Sequence, residues 1–172
     1  MEKHYCMYLS KDLQVPNLIH ATEFILEDIA LVETFQAEYP FIHEGAYKNR
    51  LNSFMPWEKD HIKTSVSTLI GQWKLLKVDI AQYIAAKHKK QIHKGMAHGI
   101  CCFLECLYWI NELPVTFKDG LISSNIKIMP INTEERLHFI ISRVTGYHSF
   151  KQLEELYKEL EKQFAIYLIK NK

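Results

Sequence analysis

Three side chains that bind metal ions in other proteins follow one another at equal spacing in the middle of the sequence. His98, Cys102 and Cys106 are each four residues apart, so neighbouring members lie on one face of a helix. Imidazole and thiolate both bind zinc, and His98 with Cys102 is the candidate pair. Cys106 lies about 12 Å along the helix axis from His98, too far to share its ion.

A zinc site would therefore need further ligands from other helices. The candidates are His88, His93 and His138. The alternative interpretation is that the cysteines are small apolar core residues and that His98 is a partly buried capping group. The sequence accordingly predicts no cofactor and leaves a metal-binding helical bundle as an alternative function.

A second pattern with possible chemistry is Arg143 followed by His148. The spacing is similar to the R-x4-H pattern of the HEPN ribonucleases, in which His acts as acid or base and Arg stabilises developing negative charge. Gly146 interrupts this pattern, and short motifs of this kind arise readily by chance. The alternative is that Arg143 neutralises a helix C-terminus and His148 lies in a turn. An HEPN-like ribonuclease is thus a second alternative function.

Basic residues are concentrated between positions 87 and 94, whereas residues 21–47 contain no Lys or Arg. The pattern predicts that this cluster closes a long helix, where cations suit the negative end of the helix dipole. Its exposed surface would meet phosphate or an acidic partner, or would simply be solvated. The members of this basic patch are Lys87, Lys89, Lys90 and Lys94.

Composition limits the class of protein. Apolar residues make up 48% and charged residues 24% of 172 residues, which is typical of globular domains. The net charge of +1 argues against a nucleic-acid ligand, and no apolar run approaches the roughly 20 residues that span a bilayer. Four cysteines, three of them within six residues, form a poor disulfide framework. We therefore expect a cytoplasmic protein with reduced thiols.

The elements that must position these residues are helices. Apolar periodicity predicts an all-α fold, a single domain over residues 1–172 with about five principal helices. The clearest stripe alternates steps of four and three from Ile62 to Tyr83, after an opening at 56–58. The remaining predicted helices are residues 18–39, the nearly all-apolar residues 96–113, a helix after Asn132, and residues 150–169.

A long connection, Leu113–Ile131, precedes the last two helices, and loops of this length are often functional. Capping patterns follow it. Asn132 has a Glu three residues on, and Ser149 has Gln at the same spacing, so both predict capping boxes. Gly146 lies between the two helices, where a positive φ is expected.

The final segment, residues 129–172, resembles the C-terminal signature of the YpoC-like proteins of Bacilli, a family without an assigned activity. The run from Leu107 to Asn111 with Pro114-Val115 is similar to that family's aromatic-Trp-x-Asn-x-x-Pro-Val element, and residues 55–58 resemble a Pro-Trp element. The signature spans about residues 107–165. The resemblance implies a cytoplasmic Firmicute protein whose genes often neighbour replication-initiation and DNA-repair genes.

From these observations we predict a non-catalytic protein-interaction or adaptor module, with DNA replication and repair proteins as the candidate partners. The predicted surface combines the long loop, the cap region before the fourth helix and the turn before the fifth. The partner would be an unidentified protein, with a second copy of the chain as the alternative occupant. The predicted binding residues are Trp109, Asn111, Asn132, Arg136, Tyr147 and His148.

Overall fold

The computed structural model describes residues 5–15, 17–18 and 23–172. Within these ranges the chain forms five α-helices and a two-stranded antiparallel sheet. The elements in chain order are β1 (Tyr5–Tyr8), β2 (Glu23–Leu26), α1 (Ile42–Lys48), α2 (Lys59–Ala85), α3 (Lys89–Trp109), α4 (Thr133–Ser142) and α5 (Tyr147–Lys170). The predicted helical class is confirmed, with a small sheet added near the N-terminus.

The predicted helix over residues 18–39 is wrong. Residues 23–26 form β2, which pairs with β1 so that Met7 lies opposite Phe24, and residues 29–33 form a 3-10 helix. Between them the Asp28 side chain accepts a hydrogen bond from the Ala30 N–H at 2.9 Å. Such local side-chain bonds compete with α-helix formation. Residues 19–22 of the predicted helix lie outside the described residues.

The helix α2 buries its predicted apolar stripe. Two members of the stripe, Leu76 and Tyr83, are half-buried against the core. The periodicity therefore predicted both the helix and its buried face correctly. The fully buried members of the stripe are Ile62, Val66, Leu69, Trp73 and Ile80.

The helix α3 lies at the centre of the bundle, as its apolar composition predicts. Every residue from Gly99 to Ile110 is buried. The Trp73 ring of α2 stacks on the Tyr157 ring of α5, with centroids 4.3 Å apart. The Tyr157 hydroxyl donates to the Gly99 carbonyl at 2.7 Å. These contacts hold α2, α3 and α5 together as the core.

The basic cluster lies at the corner between α2 and α3. The Lys87 N–H bonds the Ile84 carbonyl and the His88 N–H bonds the Tyr83 carbonyl, and Lys87 has a φ of 57°. This is a Schellman motif, which ends a helix. The prediction that the whole cluster closes α2 is therefore wrong, because α3 has already begun at Lys89.

Asn132 is the N-cap residue of α4, as predicted, but the capping boxes predicted for α4 and α5 do not form. Asn132 has a φ of 55° and its side chain caps nothing, because side-chain capping requires an extended N-cap residue. The Thr133 hydroxyl instead donates to the Pro130 carbonyl at 2.6 Å. Gly146 has a φ of −78°, not a positive value, and is the N-cap of α5. Ser149 lies buried within the first turn that follows.

The long connection between α3 and α4 is held against α3 by Tyr108. The Tyr108 hydroxyl donates to the Thr116 carbonyl at 2.8 Å and accepts from the Ser123 N–H at 3.0 Å. Because this ring is itself buried in α3, the first half of the connection takes its path from the core. This half of the connection is therefore packed against α3.

Asn111 fixes the second half of the connection. Its Nδ2 donates to the carbonyls of Leu107 and Ile128, at 2.8 and 2.9 Å. Its Oδ1 accepts from the N–H groups of Lys127 and Ile128, both at 2.8 Å. One side chain therefore satisfies four backbone groups and sets where the chain enters α4.

Candidate functional site

Two buried carboxyl groups join α1 to α3. Oε1 of Glu44 accepts from the Trp109 indole N–H at 2.8 Å and from the Val115 N–H at 3.2 Å. In the opposite direction, Oε1 of Glu105 accepts from the Phe41 N–H at 2.7 Å, just before α1 begins. Each helix thus supplies a carboxyl that binds groups of the other.

This junction is polar but favours uncharged side chains. Burial raises the pKa of Glu44 to about 6. Burial raises the pKa of Glu105 well above its ordinary value, and the charge of Glu44 adds to the rise. Burial lowers the pKa of the neighbouring His43 to about 4, and its Nε2 accepts from the Gln36 N–H at 2.9 Å. Burial therefore favours the uncharged forms of Glu105 and His43, whereas Glu44 ionises as the pH rises through about 6.

Two of the predicted binding residues form hydrogen bonds inside the protein. Trp109 is 1% exposed and binds Glu44, and Asn111 uses its amide in four internal hydrogen bonds. Val115 is buried and contributes the second donor to Glu44. The aromatic-Trp-x-Asn-x-x-Pro-Val element is thus accounted for by the fold. A binding role for Trp109 and Asn111 stays a prediction.

His98 and Cys102 do meet, as their spacing predicts. The Cys102 Sγ lies 3.5 Å from the His98 Nε2. Burial raises the pKa of the thiol well above its usual value, and burial lowers that of the imidazole. Because the thiolate is the metal ligand, this environment does not favour coordination. Across the described residues, no group of three or more His, Cys, Asp or Glu side chains could hold a metal ion.

The other proposed ligands are spread through the bundle. Cys106 is fully buried in α3. His88 is exposed at the corner, and His93 is half-buried one turn into α3. His138 lies on the exposed side of α4, 3.9 Å from Glu134. The metal-binding alternative therefore rests on the pair in α3 alone, and it stays a prediction.

Arg143 and His148 are both exposed, one at each end of the turn between α4 and α5. The Arg143 guanidinium lies 5.6 Å from the centroid of the Phe139 ring. The His148 ring contacts Tyr147 edge to face. In the described part of the chain no hydrogen bond joins the two. The ribonuclease hypothesis therefore gains no geometric support and stays a prediction.

Arg136 is held within the protein. Its Nη1 donates to both carboxylate oxygens of Glu159, at 3.0 and 3.2 Å. Its Nε donates to Gln152 at 3.1 Å, and Nη1 also lies 3.3 Å from the Ile131 carbonyl. Asn132 is exposed beside it. These contacts join α4 to α5 through an ion pair, and a binding role for Arg136 stays a prediction.

Tyr147 lies on a shallow groove between α2 and α5. The groove has a volume of about 570 Å³. Three exposed apolar residues of α2, Val78, Ala81 and Ala85, line it. Tyr147 is 57% exposed and forms part of the opposite wall. Of the predicted binding residues, Tyr147 is the one that meets an apolar surface open to solvent.

The basic patch lies at the corner between α2 and α3 and on the first turns of α3. Its first three lysines are exposed just after Ala85, the last residue of α2 that lines the groove. Lys94 is exposed one turn after Lys90, on the same face of α3, and it also lines a cavity of about 500 Å³ together with Tyr39 and Tyr83. A binding role for the patch stays a prediction.

Comparison with known proteins identifies the family. A family described as YpoC-like protein matches residues 63–172, well over half of the chain. The chain belongs to the YpoC-like family. A relative in Bacillus subtilis (strain 168), Uncharacterized protein YpoC, is 32% identical over 124 residues, which cover 71% of this chain and 74% of the relative. No solved structure matches the chain.

The YpoC-like match begins inside α2 and runs through α3, α4 and α5. It therefore includes Glu105, Trp109 and Val115 but not Glu44. No described helix has the length and apolar character needed to cross a membrane. The family resemblance predicted from the C-terminal segment is confirmed.

Sequence reasoning missed the buried carboxyl groups. Glu105 lies in the middle of the most apolar helix of the chain, and a lone acidic residue there predicts a buried polar contact. Glu44 gave no comparable signal, because its helix is short and its partners lie more than sixty positions away.

Proposed function

We propose that this YpoC-like protein is a non-catalytic cytoplasmic adaptor that binds an amphipathic, acidic helix of a partner protein in the groove between α2 and α5. One observation carries the proposal: an open groove with an apolar floor ends at a basic corner. Grooves of this kind bind helices through apolar anchors spaced three and four residues apart.

The floor of the groove has the spacing that such a partner requires. Val78, Ala81 and Ala85 are three and four residues apart, so they form a row on one face of α2. Leu75, one turn earlier, extends the row and is 74% exposed. Aliphatic side chains that form a contiguous exposed row are typical of contact surfaces.

The charge around the groove favours an acidic partner. Lys77 and Lys151 both contact the same carboxylate, that of Glu154. Among the residues that line the groove, these two ammonium groups exceed the single carboxylate, so the lining carries a net positive charge. The basic corner adds to it at one end, through Lys87, Lys89 and Lys90.

Site-specific photo-crosslinking tests this proposal. A photoreactive residue at Ala81, within the groove, should crosslink a protein of the native cytosol, and replication and repair proteins are the first class to examine. A photoreactive residue at Lys63, exposed on α2 but outside the groove, is the matched control. The crosslinked peptide should be an amphipathic segment rich in Asp and Glu.

A variant decides whether the crosslink reports this groove. Val78→Asp places a charge on the floor and should remove the Ala81 crosslink, whereas Thr64→Asp, an exposed change elsewhere on α2, should not. Thermal unfolding checks that both variants fold. Equal crosslinking from Lys63, a crosslink that survives Val78→Asp, or a second copy of this chain as the captured protein would overturn the proposal.

A further inference from the structure

A cavity of about 330 Å³ lies on another flank of α2, separate from the α2–α5 groove. Residues of α2, α3 and α5 line it, and Glu38, from the segment before α1, lines its edge. The volume is at the lower end of the range for small-ligand sites. The cavity is therefore suited to a small molecule or a single side chain.

The charged side chains of this cavity are all acidic. Glu38 and Asp79 both line it, and both are exposed. Neither carboxylate forms a salt bridge with any residue in the described part of the chain. No Lys or Arg is among the lining residues, and Lys94, one turn before His98, lines the neighbouring cavity. His98 also lines the cavity, but burial lowers the pKa of its imidazole, so the two carboxylates have no permanent countercharge there.

One lining residue offers the cavity an acceptor without a partner. The side-chain oxygen of Gln72 is buried and has no hydrogen-bond partner. A buried acceptor without a donor destabilises a protein unless a ligand or water satisfies it. The Tyr157 hydroxyl already donates its proton to the Gly99 carbonyl. A ligand that donates hydrogen bonds would satisfy Gln72.

Aromatic rings complete the wall. Trp73 and Tyr157 both line the cavity, and their rings stack 4.3 Å apart with an interplanar angle of 7°. Both rings are buried and each covers a face of the other, so they form an apolar wall of the cavity. The groups that recognise an organic cation are therefore the unpaired carboxylates and the free amide oxygen.

We propose that this cavity binds an alkylammonium or guanidinium group. Such a group donates several hydrogen bonds, carries the missing countercharge and has an apolar stem that packs against Leu76. Its source is either a free polyamine or a Lys or Arg side chain of a partner protein. A bare metal ion fits less well, because it would leave most of the cavity unfilled.

Titration of the full chain with defined probes tests the proposal. Binding is measured by intrinsic fluorescence and by the chemical shifts of the Trp73 indole. Spermidine represents a free amine, and the peptide acetyl-Gly-Lys-Gly-amide represents a partner side chain. The same peptide with acetylated lysine is the neutral control. At least one cationic probe should bind saturably, and the neutral peptide should bind at least tenfold more weakly.

The double variant Glu38→Gln, Asp79→Asn should weaken this binding at least tenfold. Because neither carboxylate has an internal salt bridge, the variant should fold normally. Glu135→Gln, an exposed change on α4, should leave affinity unchanged. The cationic probe that binds with the higher affinity indicates the source of the ligand, a free amine or a partner side chain. Absence of saturable binding, equal affinity in the double variant, or a response to zinc ions alone would overturn the proposal.

Discussion

The indole Nε1 of Trp109 donates a hydrogen bond to Oε1 of Glu44 at 2.8 Å, although the two residues lie 65 positions apart. Both are buried, and the same oxygen also accepts from the Val115 N–H. Glu44 of α1 therefore fixes the start of the connection that follows α3. A segment that lies before the YpoC-like match thus holds part of the matched segment in place.

We expect Trp109→Phe to destabilise the protein, because it removes a donor from a buried acceptor. The expected loss in the free energy of unfolding is about 1–3 kcal/mol beyond the loss from the smaller ring. Chemical denaturation measures it. Trp57→Phe is the control, since the Trp57 indole N–H forms no hydrogen bond within the described residues. Equal losses in the two variants would contradict the role assigned to Glu44.

Glu105→Gln should change how stability depends on pH. Burial, with the charge of Glu44, raises the pKa of Glu105, so its contribution to stability is full below pH 4.5 and is lost as pH rises through the folded-state pKa. Glutamine cannot ionise and keeps an acceptor for the Phe41 N–H. The variant should match the wild type below pH 4.5 and become progressively more stable than it towards pH 8.

Denaturant unfolding from pH 4 to 8 measures this difference, at about 1.4 kcal/mol for each unit of pKa shift. The pH dependence of wild-type stability does not isolate Glu105, because two neighbouring groups also titrate. The contribution of Glu44 to stability, with its pKa raised to about 6, is lost as pH rises from 4.5. The contribution of His43, with its pKa lowered to about 4, is lost as pH falls from 6.5. A difference curve flat across the range would refute the assignment.

The helices were the predictable part of the fold. The stripe from Ile62 to Tyr83 and the apolar run of α3 are long and strongly periodic, and local pattern determines such elements. β1 and β2 are four residues each, too short for a periodic signal. Their pairing is a tertiary contact, and it overrode the apolar periodicity that predicts a helix over residues 18–39.

The sites were less predictable than the helices. His98 and Cys102 meet because helical spacing alone brings them together. The capping role of Asn132 failed because its backbone is left-handed, which composition does not show. The cavity beside Trp73 and the groove beside Tyr147 arise where separate helices meet, so no local pattern could predict them.

Asn111→Ala should loosen the connection between α3 and α4. The change removes four hydrogen bonds to backbone groups, and we expect a loss of about 2–3 kcal/mol in unfolding free energy. Hydrogen exchange should rise at the Lys127 and Ile128 amides. Asn125→Ala is the control, because Asn125 is exposed and its side chain forms no hydrogen bond with any residue that the structure describes. Unchanged protection at both amides would contradict the prediction.

Two glycines should respond to alanine with opposite signs. Gly71 lies exposed in α2 with nothing within 4 Å of an added Cβ, so Gly71→Ala should stabilise by about 0.5–1 kcal/mol. At Gly99 the added Cβ would lie 2.8 Å from the Trp73 ring. Overpacking of this kind costs about 1–3 kcal/mol. Thermal unfolding compares the two, and a stabilising Gly99→Ala would contradict the close approach of α3 to Trp73.

Arg136→Lys should destabilise the contact between α4 and α5, because lysine cannot reproduce the guanidinium's simultaneous bonds to Glu159 and Gln152. The pair is partly exposed, so the expected loss is about 1 kcal/mol. Arg143→Lys is the control. Among the described residues the Arg143 side chain forms no ion pair and lies against the Phe139 ring, so its change should stay within about 0.5 kcal/mol. Equal, negligible effects of the two substitutions on unfolding would mean that Arg136 contributes little to the fold. The predicted binding role of Arg136 would then be the better explanation of this residue.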